Sequence, residues 1–314
     1  MQVTRLKCGG FIFALRMNHT MSDASGMLQL LHALGEISRG MSKPSISPMW
    51  RRELLNARDP PRVTCTHREY DPEPDNKGTM FPLDDMVHRT FFIGPTEVAA
   101  IRSLLPPHQL QQHSNFEIIA AYVWRCRTIA LQLDVDEEVR IMCVVNARSK
   151  FVNQQLPNGY YGNAIALPVA ITTAGNLIEN PLAYALDLVK KTKANVTKEY
   201  MHSVADFMVI EGRPPLTTKG LYLVSDITRA GYRDTDFGWG KSVYGGPAEG
   251  GDGALPDQAV FHIPFKNAKG EEGLVITFLL PAQVMERLVK ELDSVLMCMP
   301  TKGDPKSGVI NSSL

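Results

Sequence analysis

A histidine followed four residues later by an aspartate can do proton-transfer chemistry. Neutral imidazole takes up a proton near pH 7, and a carboxylate can orient the ring. The spacing occurs at His19 and Asp23, at His67 and Asp71, and at His202 and Asp206. With eight histidines in the chain one such match is unremarkable, so the surroundings must choose among them. His202 and Asp206 fall in a helical stretch, where an i,i+4 pair reads as a surface ion pair. His67 precedes Tyr70-Asp71-Pro72 in a proline-rich run, where local turn bonding accounts for it. His19 leaves an apolar strand and is followed by Ala24, Ser25 and Gly26, small residues that let other segments approach. It could present its imidazole at a cavity wall. A satisfied structural histidine is the other reading.

The elements that would hold His19 are a strand and a helix. Phe11, Phe13, Leu15 and Met17 alternate with their neighbours and predict a strand that starts near residue 1 without preceding partners. Met27, Leu30, Leu31, Leu34 and Ile37 recur at helical spacing, with Ser22 or Asp23 to cap the start and Gly40 to end it. Between Met41 and about Pro95 lie eight of the 21 prolines, which predicts a long surface crossover with only Met49 to Ala57 helical. Short and long helices are expected over Thr96 to Leu105 and from Ser114 to about Leu133, the latter opened by a Ser114/Glu117 capping box. Strands are expected at Val139 to Val145 and at Ile165 to Thr172. A long helical stretch then begins at Asn180-Pro181, with Pro at the first helical position. Leu221 to Ile227 reads as a strand, and Ala259 to Pro264 pairs as a hairpin with Leu274 to Leu280 through the turn from Lys266 to Glu272. An amphipathic helix over Pro281 to Leu296 follows. The fold class is α/β, with mixed sheets flanked by helices and without strict βαβ alternation.

Composition narrows the partners. Thirty-three basic side chains balance 33 acidic ones, and hydrophobic residues make up 44%, so neither a nucleic-acid surface nor disorder is expected. No run of about 18 uncharged apolar residues occurs, and Met1 to Arg5 has no signal-peptide architecture, so no membrane partner is expected and the cytosol is the expected compartment. Ser312-Ser313-Leu314 resembles the peroxisomal Ser-Lys-Leu address without its basic middle residue, which makes the peroxisome the alternative. Cysteines 8, 65, 126, 143 and 298 are scattered without CxxC spacing. They predict buried thiols, not disulfides or a zinc site.

A second element changes the weighting of His19. Asp236-Phe237-Gly238-Trp239-Gly240 is glycine-rich and lies far downstream; alone it reads as a tight turn that Phe237 and Trp239 anchor by burial. Together the two motifs resemble the signatures of the BAHD acyltransferases, H-x-x-x-D and D-F-G-W-G in this order. Asn18 to Ala24, Val145-Asn146-Ala147-Arg148, Gly159 to Ala164 and Val224 to Arg229 also look like the family, so the likeness covers essentially the whole chain. It is strongest to the branch of alcohol acyltransferases, benzyl alcohol benzoyltransferases and methanol anthraniloyltransferases. Chloramphenicol acetyltransferases and peptide-synthetase condensation domains share a related H-x-x-x-D. They usually carry a second histidine where this chain has Asn18, and they lack D-F-G-W-G.

The resemblance implies a chloramphenicol-acetyltransferase-like fold of two similar domains with a channel between them, most of the first domain being absent here. Residues 1–45 would end the first domain, 46–95 form the crossover and 96–314 the second domain. It implies acyl transfer from an acyl-CoA co-substrate to a small alcohol, with His19 as general base, no covalent enzyme intermediate, no metal and no permanently bound cofactor. Asp23 would make a structural salt bridge to Arg148, and the Asp236 to Gly240 loop would hold the second domain's shape. Ser114, Ser225 and Asp226 would lie near the coenzyme A entrance, where a helix start attracts phosphate. Each could equally be an ordinary cap or strand end. Tyr160, Tyr161 and Asn163 could line the channel or form a strand-ending turn. Family members are monomeric and carry further residues before Met1. The alternative is a noncatalytic fragment, since these residues alone would lack one channel wall.

Overall fold

The computed structural model describes residues 1–73, 85–151, 156–248, 255, 257–296 and 309–310. Cys298 and the Ser312-Ser313-Leu314 tripeptide lie outside the described residues.

The first strand finds its partner within the chain. Lys7-Cys8-Gly9-Gly10 reverses direction, with Gly9 at φ +89° and Leu6 bonded through its backbone to Gly10 and Gly9. Strands β1 (Gln2–Arg5) and β2 (Phe11–Ala14) therefore form an antiparallel hairpin. The expected strand from Phe11 to Met17 is shorter, and its partner was missed because the two-glycine turn sits so close to Met1. Helix α1 (Ala24–Ser38) follows, capped by Asp23, and Gly40 takes φ +94° beyond its end. In place of a helix over Met49 to Ala57 there is one 3-10 turn, Arg52–Leu55; Arg51 at φ +24° breaks any longer run.

The crossover expected to reach residue 95 ends earlier. Strand β3 (Met86–Ile93) belongs to the large sheet; polar His88, Arg89 and Thr90 hid its alternation. Then come α2 (Pro95–Arg102), α3 (Asn115–Leu131), β4 (Glu138–Cys143) and the short β5 (Val145–Asn146). The expected strand at Ile165 to Thr172 is divided by Pro168 into β6 (Ile165–Ala166) and β7 (Val169–Thr173). Helix α4 (Ala174–Glu179) is too short for periodicity to show. The expected long helical stretch is two helices, α5 (Leu182–Ala194) and α6 (Lys198–Ile210). Pro181 is the N-cap of α5, and Thr197 caps α6 by accepting from the Tyr200 N–H at 3.1 Å. Strands β8 (Leu221–Asp226), β9 (Ala259–Lys266) and β10 (Glu272–Pro281), helix α7 (Ala282–Leu296) and β11 (Val309–Ile310) complete the described elements.

Seven strands form one mixed sheet in the order β11-β3-β10-β9-β8-β4-β7; β8 runs parallel to β4 and β9, and the other pairs are antiparallel. One face is covered by α3, whose Ile118, Ile119 and Val123 pack with Leu186 of α5 and Leu288 of α7. A helix with apolar residues on most of its faces must be largely buried, as α3 is from Ile118 onward. The other face carries Ile227, Ile263 and Val275, with Ala24 of α1 against them. Strands β5 and β6 stand apart as a two-stranded antiparallel ribbon. Cys126 and Cys143 are buried, Cys65 is half-buried and Cys8 is exposed. Among the described residues no helix is long and apolar enough to cross a membrane.

The other two H-x-x-x-D pairs are built into the protein, not onto its surface. Asp206 is fully buried and bonds Arg58, whose Nε lies 2.6 Å away, so it does not pair with His202. The buried His67 ring lies 3.1 Å from Glu69 through Nδ1 and 2.8 Å from Ser203 Oγ of α6 through Nε2. Local bonding is thus only half of its account. Ser203 Oγ also accepts from the N–H groups of Thr64 and Cys65 at 3.0 and 2.9 Å, fastening the crossover to α6. Ser203→Ala would leave these part-buried N–H groups and the buried His67 Nε2 without their partner and should lower stability by about 1–3 kcal/mol. Urea denaturation measures it, and a loss below about 0.5 kcal/mol would show that the crossover is held elsewhere.

Candidate active site

His19 stands in a turn between the hairpin and α1. Asn18 closes that turn: its carbonyl accepts from Met21 N–H at 2.9 Å, and its side-chain oxygen accepts from the Thr20 N–H at 3.0 Å and hydroxyl at 2.9 Å. Asn163 reaches across and donates from Nδ2 to the His19 carbonyl at 2.7 Å. The side chain of His19 is exposed, and among the described residues its imidazole makes no hydrogen bond. It is free to meet a ligand from solvent.

Asp23 is placed quite differently. It is 3% exposed, and both oxygens are fully used. Oδ1 accepts from Gly26 N–H at 3.1 Å and Arg148 at 2.9 Å; Oδ2 accepts from Arg148 at 2.7 Å and Ala164 N–H at 3.0 Å. A carboxylate has about four acceptor sites, so none is left for the His19 ring. Arg148 spends its remaining reach on the Gly162 carbonyl at 2.8 Å and lies over the Tyr160 ring. The structure thus brings Asp23 and Arg148 together and separates Asp23 from the task of orienting an imidazole.

The Asp236 loop is a side-chain-closed turn. Asp236 Oδ1 accepts from Gly238 and Gly240 N–H groups at 2.7 and 3.1 Å, and these bonds hold its carboxyl below the usual range. Gly238 and Gly240 take φ +105° and +103°, values a side chain disfavours. Trp239 is 81% exposed, so burial does not anchor the loop as the sequence predicts. Its ring and that of Phe237 meet Phe11 of the hairpin at 5.5 and 6.3 Å between centres. The loop also reaches the end of α1: the Asp236 carbonyl accepts from Arg39, and the Phe237 carbonyl from Ser38 at 3.0 Å.

Ser114 caps α3, but its hydroxyl and N–H are both engaged with Glu117 in the capping box, at 3.3 and 2.9 Å. Ser225 and Asp226 are successive strand residues and face opposite sides of the sheet. Ser225 is buried; Asp226 is exposed and accepts from the Thr228 N–H and hydroxyl. Asp226 stands beside His262 of β9 in register, and His262 touches the Phe116 ring near the start of α3. Asp226 and the α3 N-terminus therefore share one side. Of Tyr160, Tyr161 and Asn163, only Asn163 contacts the His19 turn; Tyr160 is buried, and that burial raises its hydroxyl pKa. A cleft of about 260 Å³ beside α1, lined by Gln29, His32, Glu36 and Asn158 among others, does not include His19.

Sequence reasoning missed Asn18, whose amide closes the turn, and Arg52, which donates to the Thr20 and Met21 carbonyls. It also missed His262, fully buried with neither ring nitrogen bonded among the described residues. The signal for Arg52 was the run Trp50-Arg51-Arg52, which its prolines-rich setting assigned to a crossover.

The site is built on a mixed α/β fold around an exposed histidine turn, and comparison gives the family. The model of the Transferase family matches residues 1–295, and the chain belongs to that family, the one its paired motifs resemble. It is 64% identical over 303 residues to benzyl alcohol O-benzoyltransferase of Petunia hybrida, covering 96% of this chain and 64% of that protein. Alcohol acyl transferase 2 of Malus domestica is 47% identical over 315 residues, covering 99% of this chain and 66% of that one. The chain thus spans 64% of the length of the Petunia relative. Among solved structures, vinorine synthase superposes with a TM-score of 0.62 at 19% identity, covering 88% of this chain and 60% of its own. TRI101 of F. graminearum, solved with coenzyme A and deoxynivalenol, gives 0.62 at 14% identity over 86% of this chain and 63% of its own. At such identities the likeness concerns the fold.

Two predictions follow from this geometry. Asp23→Ala leaves Arg148 half-buried and without its carboxylate, so thermal and urea unfolding should register a loss of about 3–5 kcal/mol; an inactive Asp23→Asn protein of unchanged stability would restore Asp23 as a partner of the imidazole. His262 is the second case. Burial pulls its imidazolium down to about 4, against an opposing pull from Asp226. Its neutral form is the folded one, so the unfolded chain binds the extra proton between its reference value of about 6.5 and 4, and stability falls as pH drops through that window. His262→Gln should flatten that part of the stability–pH curve; an unaltered slope would place the effect elsewhere.

Proposed function

We propose that this chain carries the catalytic histidine of an acyl-CoA-dependent O-acyltransferase that makes volatile or benzoate-type esters from small alcohols. Its kinship with a benzyl alcohol O-benzoyltransferase and an alcohol acyl transferase supports the reaction class. The coenzyme A in the TRI101 complex supports the donor. The observation that carries the reading to one residue is His19: an exposed ring, unbonded among the described residues, on a turn whose backbone is held from several sides.

In this reading a ring nitrogen of His19 takes the hydroxyl proton as the alcohol oxygen bonds to the thioester carbonyl carbon. When the tetrahedral intermediate collapses, the carbon–sulfur bond breaks and the proton passes to the departing thiolate. Ester and free coenzyme A thiol leave, and the imidazole is neutral again. The acyl group never resides on the protein. Asp23, Arg148 and the Asp236 to Gly240 loop act through structure. Ser114, Ser225 and Asp226 are the candidate coenzyme A contacts; the amides at the start of α3 suit a phosphate. We place residues 1–45 with a first domain and the large sheet, from Met86, with a second. The cytosol is the proposed compartment, and a monomer the proposed state.

The test joins this chain to the portion of the Petunia relative that it does not span and assays the chain alone beside it. Thiol release is followed from acetyl-CoA and benzoyl-CoA with benzyl alcohol, methanol and hexanol. His19→Ala should cut the rate 10²-fold or more with an unchanged circular dichroism spectrum. Retention of more than about a tenth of the rate would remove His19 from the mechanism. His202→Ala is the matching control and should stay near wild type, whereas His67, buried between Glu69 and Ser203, is too structural to serve.

A further inference from the structure

Arg52 is an arginine whose charge is spent on the backbone. One terminal nitrogen donates to the Thr20 carbonyl at 3.0 Å and the other to the Met21 carbonyl. Nε is shut from solvent without a partner, and among the described residues no carboxylate lies within ion-pair distance of the group. The guanidinium plane rests on the Trp50 ring, 4.0 Å from its centre, with the Tyr161 ring at 6.0 Å. Those two rings lie 5.7 Å apart, so Tyr161 backs the stack.

The segment that carries Arg52 is itself fixed. Met49 bridges to Tyr160 and donates its N–H to the Gly159 carbonyl at 2.9 Å. The same 159–163 loop supplies Asn163, which holds the His19 carbonyl. Three successive carbonyls, those of His19, Thr20 and Met21, are thus held by two side chains that rest on one loop.

We propose that Arg52 is a positioning residue for His19: its planar fork, stacked on Trp50, locks the turn that aims the imidazole. The proposal rests on the reading of His19 as the general base. Such a base works only with the reacting atoms within about 3–3.5 Å, where a misplacement of about 1 Å can cost on the order of 10²-fold in rate. A turn tied only at its ends would leave that much play. Lysine replaces the fork only in part, because its compact ammonium lacks the planar group that stacks on Trp50 and spans both carbonyls.

The test reads the turn directly. Labelling with ¹⁵N-histidine gives backbone amide signals for the eight histidines of the chain, and His19→Gln assigns the one in question. In the wild-type chain the His19 amide should show an order parameter of about 0.85; in Arg52→Met it should fall below about 0.6, with those of His67 and His202 unchanged. Arg52→Lys should recover only part of the order. An unchanged His19 amide in Arg52→Met would overturn the proposal, as would an equal loss at His67 and His202, which marks general loosening. Full recovery with lysine would overturn it too, since charge alone would then suffice. None of these readouts needs turnover. Failure of the acyl-transfer reading would show separately, as a His19→Ala protein that keeps its rate.

Discussion

Four hydrogen bonds converge on the buried carboxylate of Asp23, and the position of the turn before it depends on them. They come from the first turn of α1, from Arg148 beyond β5, and from the backbone at Ala164. Three segments far apart in sequence are joined at one group. A buried charge is tolerated only when its acceptor sites are filled. The pair with Arg148 is bidentate, which fixes angle as well as distance. Net stability is a poor reason for such a pair, because well-packed apolar residues would often do as well. What an apolar contact could not supply is direction: it would let α1 slide against the 162–164 segment, and His19 would slide with it.

Helix α1 is wedged as well as tied. A Cβ on Gly26 would come within 2.0 Å of the Tyr161 carbonyl oxygen, and one on Gly35 within 2.4 Å of the Asp236 carbonyl oxygen. Nine residues are about two and a half helical turns, so these close approaches lie on opposite sides of the helix. One loop presses near the Asp23 end and the other near the far end, where Arg39 and Ser38 reach the carbonyls of Asp236 and Phe237. The two distant motifs are thus coupled through a rigid rod. The Asp236 loop thus bears on the helix that follows His19 without contact with the His19 turn.

Much of this was legible. The α1 periodicity, the Asp23 cap, the Ser114/Glu117 box and the β9–β10 hairpin are local signals, and local physics decides them. What was not legible depends on distant partners. Strand β3 carries polar residues that make sense only beside β10, with Thr90 bonded to Thr277 across the pair at 3.0 Å. The exposure of Trp239 could not be read from its size, since an aromatic ring can rest edge-on against Phe11 and still face solvent. The part played by Arg52 was not legible, because its acceptors are carbonyls, and carbonyls leave no trace in a pattern of side chains. The choice of His19 over its rivals rested partly on the resemblance and not on the spacing, and the structure adds that its ring is exposed.

The three H-x-x-x-D pairs show why spacing alone is weak. In α6 the i,i+4 geometry would let His202 and Asp206 meet, but Asp206 is drawn inward to Arg58 and to the N–H groups of Arg58 and Arg62 at 2.6 and 3.1 Å. At His67 the ring is claimed from both sides, by Glu69 and by Ser203, and Asp71 turns instead to Arg68 at 3.1 Å. At His19 the aspartate is again taken by an arginine. In none of the three does the aspartate touch its histidine. The spacing therefore carries no chemistry of its own; it places an acid one helical turn beyond a histidine, where a cap or an arginine can use it. The pairs differ in what becomes of the imidazole. His67 is satisfied and buried, and His202 is packed near Phe151. His19 alone of the three stands exposed and unbonded among the described residues, while Arg52 and Asn163, which reach its turn, donate to backbone carbonyls.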